Sequence, residues 1–211
     1  MTNLYNFMDG ADGLAGLMAV IGFGAMAAAA FIANDLALSM ACAAIASAGA
    51  GFLAFNFPPA RIFLGDAGSI PLGFLAAMLG AHGAHSGAWP WWFPLLVFSP
   101  FIVDASVTIA RRLISGERIW IAHRNHYYQR LVLSGWSARR LAAAEGCLMV
   151  CSAASALYAL GQGRMLQCAI LVGWPVLYAI LVALIETKRD PNKNMNGSGA
   201  RKSNGAPGEE E

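Results

Sequence analysis

Charge is what this chain has least of. Asp, Glu, Lys and Arg make up 12% of its 211 residues, against 57% for hydrophobic types. A soluble globular domain carries roughly 25% charged residues, so ordinary water solubility is excluded and hydrocarbon must solvate much of the surface. The net charge of +2 is small, and no nucleic-acid partner is expected. Cysteine is also scarce: Cys42, Cys147, Cys151 and Cys168 all fall in apolar stretches, which argues against a disulfide framework. Cys147 and Cys151 share a helix face and could form a two-thiol metal site, but small packing residues are the plainer reading. The chain has no basic-then-apolar signal peptide at its start, no internal repeat and no adjacent pair of aspartates.

Long apolar runs are abundant. Six stretches stand out: Leu14–Ala33, Leu36–Phe55, Ile70 to about Gly87, about Trp89 to Val103, Leu141–Leu160 and Met165–Ile185. Crossing about 30 Å of hydrocarbon at 1.5 Å per residue takes about 20 residues. Stretches one, two, five and six meet that length and lack the polar stripe of a soluble core helix. Stretches three and four are short and are read as tilted, continuous or partly re-entrant. The expected fold class is all-α: a polytopic transmembrane helix bundle of about six spans, with residues 1–185 as the membrane domain. Residues 186–211, rich in Asn, Gly, Ser, Lys and Glu, read as a disordered cytoplasmic tail.

Basic residues orient the bundle. With six spans and the first segment inside, Arg61, Arg111, Arg112, Arg118, Arg124, Arg130, Arg139, Arg140, Lys188, Arg189, Lys193, Arg201 and Lys202 are cytoplasmic, and only Arg164 is outside. The positive-inside bias favours that orientation. Inner loops are then long (1–13, 56–69, 104–140) and outer ones very short.

Three inner segments carry the chemistry. The first opens the chain as a polar loop, with Asn3 and Asn6 three apart and Asp9-Gly10 and Asp12-Gly13 three apart. Two readings stand: a turn whose Asp caps the next helix, and a carboxylate–amide cluster suited to a hard cation. The second, Asn56 to Ser69, contains Gly65-Asp66-Ala67-Gly68-Ser69 leading into the third stretch. Ser69 can cap that helix, with Pro71 in its first turn. A Gly-rich helix N-terminus cradles phosphate, Asp66 would repel one, and a divalent cation between them removes the conflict. A plain capped turn is the alternative. The third is His123-Arg124-Asn125-His126-Tyr127-Tyr128-Gln129-Arg130, which could grip phosphate or sugar oxygens or form a basic patch against anionic lipid. Asp104, Thr108, Arg111 and Arg112 recur on one helix face leading from the fourth stretch, and Gly116 can end that helix.

Together these segments resemble the polyprenyl-phosphate N-acetylhexosaminyl-1-phosphate transferases, glycosyltransferase family 4. That group includes undecaprenyl-phosphate N-acetylglucosamine-1-phosphate transferases and phospho-N-acetylmuramoyl-pentapeptide transferases. The Asn-x-x-Asn-x-x-Asp-Gly-x-Asp-Gly-Leu string lies at 3–14 and the Asn-to-Phe-x-Gly-Asp-x-Gly-Ser string at 56–69. The Asp104 and Arg111-Arg112 helix and the His-Arg-x-His segment follow in the family's order.

The resemblance implies a Mg²⁺-dependent membrane transferase, with Mn²⁺ as a substitute. It would move a sugar-1-phosphate, of N-acetylhexosamine type, from a UDP-sugar to polyprenyl (undecaprenyl) phosphate and release UMP. That reaction begins lipid-linked cell-envelope polysaccharide synthesis, such as lipopolysaccharide, at the bacterial inner membrane. By resemblance Asp66 and Asp9 hold the metal; Asp9, Asp12, Asp66, His123 and His126 form the catalytic set. Asn3, Asn6, Asn56, Phe63 and Arg124 bind substrate, with the Phe63 ring on uracil. The lipid bilayer is a partner, and a homodimer is left open. The family also has an adjacent aspartate pair in an earlier cytoplasmic loop, proposed to bind or deprotonate the lipid phosphate. Its lack here leads us to expect a chain without the family's N-terminal part, with little activity alone. The rival readings are an inactive membrane partner derived from that family and a transporter. Transporter sites lie near the midplane, whereas here only His82, His85 and Glu145 fall within the apolar stretches.

Overall fold

The structure is a computed structural model that describes residues 1–114, 116 and 127–187. Its elements are α1 (Thr2–Met8), α2 (Leu14–Ile32), α3 (Leu36–Asn56), α4 (Gly65–His85), α5 (Trp92–Val97), α6 (Ser99–Ile114), α7 (Tyr127–Leu133), α8 (Ala138–Leu160) and α9 (Arg164–Thr187). The chain is an all-α polytopic bundle. Helix is what an apolar run must form in hydrocarbon, because every backbone N–H and C=O is then satisfied within its own segment. Among the described residues, five helices (α2, α3, α4, α8 and α9) are long and apolar enough to cross a membrane.

α2 is the buried axis. It packs on α3 and α8, and its Met18, Phe23 and Met26 are fully enclosed. α2 and α3 come together where Gly49 lies against Ala19, the kind of small-residue contact that lets helices approach in lipid. α3 and α9 turn most of their surface outward, with Phe55, Val172 and Ile180 exposed.

The fourth stretch departs from expectation. It is not one helix over 89–103 but two, α5 and α6, parted at Phe98, and α6 runs on through the Asp104–Arg112 face to Ile114. Pro100 has no N–H for the Leu96 carbonyl four residues back. The Ser99 hydroxyl serves that carbonyl instead, at 2.7 Å, and meets the Tyr178 hydroxyl at 2.6 Å. The Phe98 ring packs edge-on against Phe23, filling the break. Gly116 lies in the left-handed region (φ 67°) just past α6, in the expected terminating role.

Three further boundaries differ. Residues 2–8 of the expected polar loop are helical, because Tyr5 and Met8, three apart, bury one face against the bundle. α4 begins at Gly65 rather than near Ile70. Ser69 is therefore inside the helix rather than its cap, and Pro71 stands past the first turn. α9 extends through Thr187, so Glu186 belongs to the bundle: it pairs with Arg111 and accepts from the Tyr127 hydroxyl at 2.8 Å. Residues 188–211 of the expected tail lie outside the described residues.

Connectivity gathers the polar segments at one end. α1, the start of α2, the end of α3 and the start of α4 meet there. Tyr128 at the start of α7 bonds to Phe7, Arg139 at the start of α8 to Pro58, and Glu186 near the end of α9 to Arg111. The broken α5–α6 pair leads back to the polar end from Trp89, which is held at the far end by the Gly80 carbonyl. Except for Arg164, the described arginines all lie at or beside the polar end.

Candidate active site

The site is a corner, residues 9–13, laced to a loop, residues 57–64. Gly13 has φ +83°, and Pro58 Cδ stands 3.1 Å from where its Cβ would be, so only glycine turns the chain into α2 here. Its N–H donates to Asn56 Oδ1 at 2.9 Å, and Asn56 Nδ2 donates to the Ile62 carbonyl at 2.8 Å. Asn56 is only 4% exposed, so both ends of its amide are spent on backbone that would otherwise be unpaired. Asp12 does not cap α2, whose N-cap is Gly13 without a side-chain bond. Its Oδ2 instead accepts the Ala60 N–H at 3.0 Å. Arg61 N–H to the Phe55 carbonyl (2.8 Å) and Arg139 Nε to the Pro58 carbonyl (3.0 Å) complete the lacing.

α1 is pinned to α4 beside this corner. Asn6 Oδ1 accepts from the Ser69 hydroxyl at 2.5 Å, and Gly73 gives α4 room to lie against Thr2 and Tyr5. The contact brings Asp9, at the end of α1, to the first turn of α4. The Asp9 carboxylate lies near enough to the Gly65 backbone and to Asp66 to feel the dipole of one and the charge of the other. Burial is the largest influence on Asp9 and the Asp66 charge adds to it; together they outweigh the lowering effect of the Gly65 backbone and push Asp9 from 3.8 up to about 6.

Asp9 and Asp66, 57 sequence positions apart, are thus neighbours, while Asp12 faces the 57–64 loop. Asp66 is exposed, Asn3 is exposed, and the Phe63 ring is 77% exposed on the rim. His123, Arg124 and His126 lie outside the described residues. Among the described residues, no three His, Cys, Asp or Glu side chains stand close enough to hold a metal ion unaided. Two neighbouring carboxylates suit Mg²⁺, which takes one or two from protein and fills its other positions with water and phosphate oxygens.

Two features were not singled out from the sequence. Tyr128 reaches across to α1, and a long-range hydroxyl contact leaves no trace in local spacing. An apolar groove of about 670 Å³ lies between α5–α6 and α9, walled by Trp92, Leu95, Val107, Trp174 and Val182, with Glu186 at its polar end. The break at Phe98 shapes that groove, and Pro100 is its one sequence signal.

Residues 1–83 match glycosyl transferase family 4. Over 142 residues the chain is 35% identical to the probable undecaprenyl-phosphate N-acetylglucosaminyl 1-phosphate transferase of Bacillus subtilis, covering 66% of this chain and 39% of that protein. It is 32% identical over 145 residues to the phospho-N-acetylmuramoyl-pentapeptide-transferase of Halalkalibacterium halodurans (66% and 42%). Against that of Lactiplantibacillus plantarum it is 31% identical over 139 residues (64% and 41%). The chain spans about two fifths of the length of these curated relatives. The Asp9–Gly13 corner, the 57–64 loop and Asp66 all lie inside the matched region, and through it this multi-pass membrane chain belongs to glycosyl transferase family 4.

Proposed function

We propose that the polar end of this bundle transfers an N-acetylhexosamine-1-phosphate from a UDP-sugar to polyprenyl phosphate, as the first lipid-linked step of an envelope polysaccharide. The observation that carries the reading is the meeting of Asp9 and Asp66 at the laced corner, within the region shared with the family. In the reaction an oxygen of the lipid phosphate attacks the phosphorus next to the sugar. The bond from that phosphorus to the UMP oxygen breaks, UMP leaves, and a lipid diphosphate sugar forms. Both reactants are anions, and Mg²⁺ held by Asp66 and Asp9 would neutralise charge on the diphosphate.

The chain's own residues then have distinct tasks. Asp66, in the first turn of α4, and Asp9 offer carboxylate oxygens on either side of that contact. Phe63 presents a free ring for the uracil. Asn56 acts on the nucleotide indirectly, by fixing the loop that carries Phe63, and Asp12 holds the same loop through Ala60. Asn3 and Asn6 flank the metal corner on α1. His123, Arg124 and His126 take the sugar-phosphate portion. The α5–α6/α9 groove gives the prenyl tail an apolar path toward Arg111. Positive-inside bias sets the site and the C-terminus in the cytoplasm of a bacterial inner membrane.

Binding tests this without demanding a lipid acceptor. In detergent, the chain should bind UDP-N-acetylglucosamine or UDP-N-acetylgalactosamine more tightly when Mg²⁺ is present, and Asp66→Ala should remove the Mg²⁺ dependence. Binding that ignores both Mg²⁺ and Asp66 refutes the proposal.

A further inference from the structure

Asp9 sits at a chain reversal, and such a carboxylate is only as well placed as the backbone on either side of it. A single distant atom meets both sides. The Tyr128 hydroxyl donates to the Phe7 carbonyl at 3.1 Å, two residues before Asp9, and lies directly against Gly10, the residue after it. Gln129 Nε2 donates to the same oxygen at 3.0 Å. The Tyr128 ring is almost wholly buried. A Cβ on residue 10 would overlap its hydroxyl, so Gly10 is glycine to admit it.

Tyr128 is itself fixed from α6. Asp104 Oδ2 accepts the Tyr128 N–H at 3.1 Å, Oδ1 accepts the Tyr127 N–H at 3.0 Å, and the Thr108 hydroxyl meets Oδ1 at 3.3 Å. Charge-assisted bonds to two successive amides hold the start of α7 more firmly than neutral ones could. A continuous path therefore runs from Asp104 through the Tyr128 backbone and ring to the corner bearing Asp9.

We propose that Tyr128, held by Asp104, is a positioning residue that sets the Asp9 carboxylate where it shares a divalent cation with Asp66. The inference rests on the metal reading given above. It goes beyond that reading by assigning the affinity of the corner to a tyrosine and an aspartate that touch no ion.

The test is binding of Mn²⁺ alone to the full chain in detergent, followed by loss of the free-ion electron paramagnetic resonance signal, beside thermal unfolding without metal. Tyr128→Phe keeps the ring and removes the bridging oxygen. It should raise the half-saturating Mn²⁺ about tenfold, the scale of one or two lost hydrogen bonds. Asp104→Asn turns one acceptor into a donor facing a donor and should shift it in the same direction. Should Tyr128→Phe fail to fold, Gly10→Ala, which displaces the hydroxyl, makes the same comparison. Asp9→Asn is the control. If it leaves Mn²⁺ binding unchanged, the metal reading fails and takes this inference with it. If it weakens binding while the Tyr128, Gly10 and Asp104 variants melt lower but bind as wild type does, the inference alone is overturned, because those residues then only support the fold.

Discussion

Replacing Asp9 by Asn should make the metal-free protein more stable at neutral pH. Its carboxyl is raised from 3.8 to about 6, chiefly by burial and next by the charge of Asp66. An acid with a raised folded value stabilises the fold fully below pH 3.8, and that contribution is lost as pH climbs through about 6. A shift of about 2 units corresponds to about 3 kcal/mol at 1.36 kcal/mol per unit. Asp9 is only partly buried, and solvent screening leaves about 1–2 kcal/mol of that. Asn is uncharged at every pH. At about 2–4 °C per kcal/mol for a chain of this size, Asp9→Asn should unfold about 2–8 °C higher than wild type at pH 7.5 in detergent with chelator. The gap should close by pH 4. Adding Mg²⁺ should then stabilise wild type and leave the variant unmoved, since only a binding-competent native state gains from ligand. A variant no more stable than wild type at pH 7.5, or one whose gain persists unchanged at pH 4, would show that burying the Asp9 charge beside Asp66 costs the fold nothing.

Asn56→Ala should cost about 2–4 kcal/mol, the price of leaving the Gly13 N–H and the Ile62 carbonyl unpaired, seen as a lower melting temperature with and without nucleotide. Phe63→Ala should leave melting unchanged, because the ring is exposed, and weaken UDP-sugar binding about tenfold or more through lost stacking of about 1–3 kcal/mol; equal affinity would free the ring from the nucleotide. Single cysteines at Arg164 and Ser203, in a chain with Cys42, Cys147, Cys151 and Cys168 replaced, should label from opposite sides of the membrane, and same-side labelling would overturn the orientation. In a turnover assay with undecaprenyl phosphate, Asp66→Ala should abolish any UMP release the wild-type chain shows.

The long helices were legible because they rest on one strong signal, about 20 apolar residues without charge. Leu14–Ile32 and Leu36–Asn56 begin at the expected residues and end within one of those expected. Where backbone chemistry competes with hydropathy, the sequence says less. Pro100 divides the fourth stretch, yet the division depends on Ser99 reaching back to Leu96, a choice that composition does not express. α1 is short, and its apolar face is only Tyr5 and Met8, too little for periodicity to separate from a loop. In the site, local spacing paired Asp9 with Asp12, and the family resemblance joined Asp66 to them. It did not separate Asp12, committed to Ala60, from Asp9, turned toward α4, because that division is made by a tertiary contact between α1 and α4. His123, Arg124 and His126 were singled out from sequence and lie outside the described residues.

The lacing of the corner to the 57–64 loop changes how a mutational map of this protein reads. Asn56 and Asp12 tie the same two pieces of chain from opposite sides, so their substitutions should be strongly non-additive: once one tie is cut, the second has less to lose. Second-site suppressors of either lesion should then arise where a side chain steadies the same loop from outside the corner, as Arg139 does at Pro58, rather than among the carboxylates. Lesions at exposed Asp66, which carries none of these ties, would form a separate genetic class, answering to cation concentration and not to repair of the loop.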